Sequence, residues 1–248
     1  PLAGSRIQNE EYYGRKGLTW TYIKETGRRF GAIGDGYWFD QTGSMLFPKD
    51  DKDMWVMLGV LNSKLYHSLF LSMTPGRHWT PGVVGRIPWK ASLADLSDVG
   101  SLTNAQYTQI LKWRLTDPTS LYYTGPGLLP KKEKMELFYE DPKTSDTEKA
   151  LEVEQVSVDS SQPIPEAVKY VRRKKENDWN SVESTAEKID EKIYTHLDIS
   201  KESQKAIETE IKLRAGGSQS LKQQIDIDKR SEVKSLIHHF AMEVVREE

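Results

Sequence analysis

The chain has 248 residues, 37% of them hydrophobic and 29% charged, with a formal net charge of −2 and no cysteine. That length accommodates one large domain or two modest ones, and the near-neutral balance does not by itself call for a polyanionic partner. Without cysteine, disulfides, zinc ribbons and thiol nucleophiles are excluded and a reducing cytoplasm is the expected compartment.

The first residues, Pro1-Leu-Ala-Gly-Ser-Arg6, have no apolar core behind a basic start, so no signal peptide is expected. A start on Pro rather than Met suggests a fragment of something longer. Residues 7–47 read as short strands divided by turns. Leu18-Thr-Trp-Thr-Tyr-Ile23 is rich in β-branched and aromatic residues. Gly31-Ala-Ile-Gly-Asp-Gly36 is a turn-rich loop, Tyr37-Trp-Phe39 starts another strand, and Gln41-Thr-Gly43 turns the chain into Ser44-Met-Leu-Phe47. Pro48 to Asp53 places acids where a helix begins. The helix expected from about Asp53 to Met73 is apolar on most faces (Trp55, Val56, Leu58, Val60, Leu61, Leu65, Leu69, Phe70) and should be buried. Its Gly59, Asn62, Ser63, Lys64, His67 and Ser68 rule it out as a membrane span. Thr74-Pro-Gly76 stops it. A second loop, Arg77 to Gly82, leads into a short strand at Val83-Val84 and then to Gly85-Arg-Ile-Pro-Trp89.

Thr103 to Leu115 has helical spacing. Residues 131–165 are charged and weakly patterned, which suggests a linker. A helix is expected over 165–175 with Val168 and Val171 inside. A second starts at the capping-box pattern Ser184-Thr-Ala-Glu187 and carries Ile189, Ile193 and Leu197. Ser200 caps a third with Ile207 and Ile211, ended at Gly216-Gly217, and Val233 to Val244 forms an amphipathic stripe. These patterns predict an α+β fold. A mixed α/β core with a buried central helix covers 1–95, an irregular extension and linker 96–165, and a helical region 166–248.

Catalysis requires a constellation, and none is evident. Gly31-x-x-Gly34-x-Gly36 resembles a nucleotide-cradling loop only superficially, because Arg28-Arg29 precedes it and an aromatic strand, not a helix, is expected after it. Glu210-Ile-Lys212 lies among solvated charges on an expected helix. His238-His239 are adjacent and point to different faces; His67 and His78 stand alone. The chain contains no Asn/Asp-Pro-Pro-Tyr segment. The charge is unevenly spread. Residues 1–90 carry 12 Lys/Arg against 8 Asp/Glu, and the rest 23 against 29. Six of the seven tryptophans also lie in the first half, where Trp20, Trp38 and Trp55 are expected in the core.

Asn9-Glu-Glu-Tyr-Tyr13, Gly17-Leu-Thr-Trp-Thr21, Phe39-Asp40-x-x-Gly43-Ser44-x-Leu-Phe47, Met57-Leu-Gly-Val-Leu-Asn-Ser-Lys64 and Gly85-Arg-Ile-Pro88 occur in that order. Together they resemble the region downstream of the catalytic domain in the PglX family of BREX methyltransferases and in related type IIG restriction-modification methylases. Asn177-Asp-Trp-Asn-Ser-Val-Glu183 and Ile189-Asp-Glu-Lys-Ile-Tyr194 are similar to later segments of those proteins; residues 91–165 have no counterpart.

The resemblance implies a TaqI-like target-recognition domain, without a catalytic site, that grips double-stranded DNA for a methylase domain in cis or in trans. S-adenosylmethionine would then belong to the parent N6-adenine methyltransferase and not to this chain. A recognition module needs cations for phosphates and a few side chains for base edges. Arg77, His78 and Trp79 are the expected base readers, and Lys24, Arg28 and Arg29 the expected phosphate contacts. Arg15, Lys16, Arg86 and Lys90 complete the expected DNA-binding set. The rival reading is a protein-interaction scaffold that docks defence-system partners through its acidic faces.

Overall fold

The computed structural model describes residues 9–22, 29–40, 43–74, 78–114 and 164–214, without the side chains of 113, 164–167 and 172. It is an α+β fold that divides into two compact units. One contains the described residues up to Thr103 together with Lys188 to Arg214; the other contains those from Asn104 to Glu187. The expected linker over 131–165 lies, but for Ile164 and Pro165, outside the described residues, and the stripe over 233–244 lies wholly outside them.

The first unit is built on a three-stranded antiparallel sheet in the order β2-β1-β3, with β1 at Gly17–Trp20, β2 at Phe30–Ile33 and β3 at Met45–Leu46. Strand side chains alternate between faces. Leu18 and Trp20 therefore share a face, and the register Leu18↔Ala32, Trp20↔Phe30 sets four buried side chains on it. Gly17 permits close pairing on the other edge, where a Cβ would stand 2.8 Å from the Leu46 carbonyl oxygen. Tyr37-Trp-Phe39 forms no strand. Its backbone is held in a loop, with the Gly14 amide donating to the Tyr37 carbonyl (3.1 Å) and the Gly36 amide to the Gly14 carbonyl (2.8 Å).

The expected long central helix is two helices, α1 (Met54–Leu61) and α2 (Lys64–Met73). Seven of the eight residues of α1 are buried, as an all-round apolar pattern requires. The break falls at Asn62-Ser63 because both side chains have other work. The Asn62 amide accepts from the Phe30 amide (3.1 Å) and donates to the Phe30 carbonyl (3.0 Å), so it pairs with β2 as a backbone would. Ser63 turns to extended geometry and accepts from the Tyr66 amide, restarting the helix as an N-cap. Asp190 accepts from the Lys64 amide (2.8 Å) and satisfies another orphan donor of that first turn.

Val83-Val84 is likewise not a strand. It ends a one-turn helix, α3 (Pro81–Val84), whose N-cap Thr80 accepts from the Val83 amide and whose first residue is proline. That cap-then-proline signature outweighs the β propensity of two valines. The helix α4 runs Ser97–Arg114, six residues earlier than Thr103.

The two helices expected over 165–197 are one, α5 (Ile164–His196). Val168, Val171, Trp179, Val182, Ala186, Ile189 and Ile193 are buried at spacings of three, four and eight, a stripe with no phase break at Ser184, which is exposed within the helix. In the second unit, the Gln106 amide donates to the Val182 carbonyl (2.7 Å) and that of Gln109 to the Asp178 carboxylate (3.0 Å), tying α4 to α5.

In the first unit, α5 ends in a Schellman motif. The Ile199 amide donates to Tyr194 and the Asp198 amide to Thr195, with Asp198 at φ 54°. A Cβ is costly in that left-handed region, whereas glycine is free of the penalty. Asp198→Gly should therefore stabilise the chain by about 0.5 kcal/mol after its larger unfolded-state entropy is deducted, raising the melting temperature by about 1–2 °C. Ser200 then caps α6 (Lys201–Arg214), as its sequence position indicates, by accepting from the Ser203 amide.

Candidate nucleic-acid interface

Two segments of the first unit bring exposed cations and aromatic rings together. The first runs from His78 to Lys90 and is anchored at several points. The Trp79 amide donates to the Tyr22 carbonyl (3.0 Å), and its own carbonyl accepts from Trp20 Nε1 (2.7 Å). Val84 and, just beyond the segment, Leu93 are buried. The Tyr66 hydroxyl donates to the Pro88 carbonyl (2.9 Å); burial raises its pKa to about 12 and keeps it a neutral donor. Between the anchors His78, Arg86, Trp89 and Lys90 are exposed. The His78 ring lies 5.6 Å from that of Tyr22, Arg86 Nε donates to the Gly82 carbonyl (2.9 Å), and Trp89 meets Tyr66 edge-on at 6.1 Å. Arg86 uses one donor on the preceding helix α3, which braces its exposed guanidinium, an arrangement suited to a phosphate or a guanine edge.

The second segment is Tyr12 to Lys16 with the loop at 35–40. Arg15 is exposed, its guanidinium carbon 5.3 Å from the Tyr12 ring and 5.6 Å from that of Phe47. Lys16 is half-buried; its Nζ pairs with Asp51 at 3.0 Å, and its amide donates to Asp35. The partner offsets the charge that Lys16 would bring to a phosphate, so Arg15 is the stronger cation of the pair.

Two expected contacts are corrected by burial. Trp79 is 1% exposed, stacked on Phe70 at 4.3 Å and flanked by Phe30 and His67 at about 6 Å, so its ring presents no face to a base. Arg29 is 5% exposed, its guanidinium carbon 3.9 Å above the Trp79 ring. Desolvation lowers its pKa to about 10, which still leaves it charged at neutral pH, and the ring face compensates part of that burial. It belongs to the core beneath the strap and reaches no phosphate from there. Lys24, Arg28 and Arg77 lie outside the described residues.

Sequence reasoning placed Trp38 in the core with Trp20 and Trp55. Those two are buried, but Trp38 is 78% exposed. The available signal was its setting between Gly36 and Asp40, in an aromatic triplet where strand alternation cannot bury every ring. The glycine-rich segment before it does not fit a cofactor cradle: Gly31 is inside β2, and Asp35-Gly36 is a turn followed by loop. Glu210 accepts from Ser68 (2.5 Å) and Ser72 (3.2 Å) and pairs with Arg214 (3.1 Å). Those bonds, led by that from Ser68, hold its carboxyl below the ordinary value. It fastens α6 to α2. Among the described residues no group of three His, Cys, Asp or Glu is placed to hold a metal ion, and no helix is long and apolar enough to cross a membrane.

No protein-family model matches the chain. Over 86 residues, 34% of its length, it is 29% identical to the adenine-specific methyltransferase BrxX of Escherichia coli O9:H4 (strain HS). That match spans 7% of the relative, so the chain shares a region with a methyltransferase and covers far less than two thirds of its length.

Proposed function

We propose that this chain is a DNA-binding specificity region that reads duplex DNA for a separate, S-adenosylmethionine-dependent N6-adenine methylase domain, in a restriction-modification or phage-defence system such as BREX. The partial likeness to an adenine-specific methyltransferase supports the setting. The observation that carries the reading is the strap from His78 to Lys90, which holds its backbone on the core while His78, Arg86, Trp89 and Lys90 face outward. Rigid backbone with outward cations is what phosphate contact requires, because phosphates position a recognition module before bases specify it. Arg15 extends the cationic set.

Binding of the full chain to a labelled duplex, followed by anisotropy across a salt series, tests this. Affinity should fall as salt rises, and Arg86→Ala, Lys90→Ala and Arg15→Ala should each reduce the slope of log K against log salt by about 1. Arg29→Met should leave that slope unchanged. Binding indifferent to salt and to these three substitutions would remove the DNA reading and favour a protein-docking scaffold.

A further inference from the structure

The loop that carries Trp38 is more firmly built than a solvent-exposed loop needs to be. Gly14 and Gly36 adopt φ values of 77° and 85°, open to glycine at no steric cost; the Gly36 amide donates to the Gly14 carbonyl and the Gly14 amide to the Tyr37 carbonyl, which closes the loop. Asp35 accepts from the Lys16 amide (2.8 Å) and Asp40 from the Gly43 amide (2.6 Å). Trp38 then stacks on Tyr13 with centroids 5.1 Å apart and planes 13° from parallel. Tyr13 meets Phe39 edge-on at 5.0 Å, Phe39 meets Phe47 at 5.7 Å, and Phe47 meets Tyr12 at 4.9 Å. A continuous run of five rings thus joins the Arg15 guanidinium to the Trp38 indole, and the indole keeps 78% of its surface exposed.

A large ring held in one orientation with an open face is a stacking platform. Its surroundings decide what it suits. Tyr37 beside it is exposed at 39%, and Asp35, Gly36 and Asp40 are exposed and not apolar, so the apolar area is about two rings, far below the roughly 800 Å² per partner of a stable protein interface. A single planar π-system fits it, and an arginine at the other end of the ring run suits a sugar-phosphate backbone. We propose that Trp38 is a stacking site for an unpaired nucleobase in DNA, one displaced from the duplex stack. The proposal rests on the DNA-binding reading and deepens it. Base–aromatic stacking tolerates any base, and enzymes that modify a base in duplex DNA must first break its stack. The platform would hold a base displaced in that process.

The test uses the full chain and two duplexes of one sequence, fully paired or with a single unpaired 2-aminopurine. The unpaired duplex should bind about tenfold more tightly, with 2-aminopurine emission quenched on binding. Trp38→Ala should abolish both the preference and the quenching while leaving paired-duplex affinity and melting temperature unchanged; Trp38→Phe should retain most of each. If paired duplex binds with no preference, or Trp38→Ala keeps the preference, the stacking site is overturned and the DNA reading stands. If neither duplex binds, both fall. If Trp38→Ala leaves DNA binding intact but abolishes self-association in sedimentation, the indole is a protein contact and the proposal is overturned.

Discussion

Trp79→Ala is expected to be the most damaging substitution in the strap, lowering stability by about 3–5 kcal/mol. Against a typical total of about 5–15 kcal/mol for a domain, that is a large fraction. The ring is 1% exposed. It stacks on Phe70, lies near Phe30 and His67, and carries the Arg29 guanidinium on its face. Removing it leaves a cavity among aromatic neighbours that cannot collapse, and strips a buried cation of one compensating surface. Trp79→Phe keeps a ring against Phe70 and should cost less than half as much. Urea denaturation measures both. The salt dependence of DNA binding well below the melting transition separates core from contact: Trp79→Ala should leave the slope intact, whereas Arg86→Ala should change the slope and leave stability intact. A Trp79→Ala protein of normal stability with relaxed DNA sequence preference would return the ring to the role of base reader and contradict its burial.

That separation marks how far the sequence could be read. The α+β character was legible because Leu18-Thr-Trp20 alternates as a strand does and the run of α1 is apolar on nearly every face, as a buried helix is. What failed were positions where a side chain replaces a backbone partner. Asn62 reads as one polar residue in a helical run, yet its amide closes the edge of β2 at Phe30, a contact 32 residues away that no local pattern encodes. The same explains why Met57 to Lys64 reads as a family motif without revealing its role. In the structure Gly59 admits α4, Asn62 pairs with β2, Ser63 caps α2, and Lys64 bonds Asp190 and Glu208. The segment is scaffold, and the outward residues lie elsewhere. Cations were correctly visible as cations, but burial divides Arg29 from Arg15 and Arg86, and burial is a property of the whole fold. Trp38 escaped for the converse reason, since exposure of a tryptophan runs against the expectation that large apolar rings are covered.

Gly59 offers the sharpest test of the scaffold half of that division. A Cβ there would stand 3.0 Å from Val99 Cγ1 and closer still to Thr103 Oγ1, while Gly100 brings Val56 to the same distance from its own missing Cβ. The α1 and α4 backbones therefore meet through two glycines. With α1 buried on nearly every side, it has no direction in which to retreat. Gly59→Ala should lower stability by about 2–3 kcal/mol through overpacking, despite the intrinsic helical gain of alanine over glycine of about 1 kcal/mol. Thr103 is buried and its hydroxyl donates to the Val99 carbonyl within its own helix (2.8 Å), a bond whose loss costs little. Thr103→Ala alone should then cost about 1 kcal/mol, chiefly as a small cavity. In the double variant the new methyl group occupies the space the threonine vacated, so the penalties should cancel in large part, giving a coupling of about 2 kcal/mol in a double-mutant cycle. Additive losses would place the strain of Gly59→Ala somewhere other than the α1–α4 contact. Well below their melting transitions, Gly59→Ala and the rescued double variant should both keep the DNA-binding salt slope of the parent chain, because this helix contact holds the fold and neither residue touches the ligand.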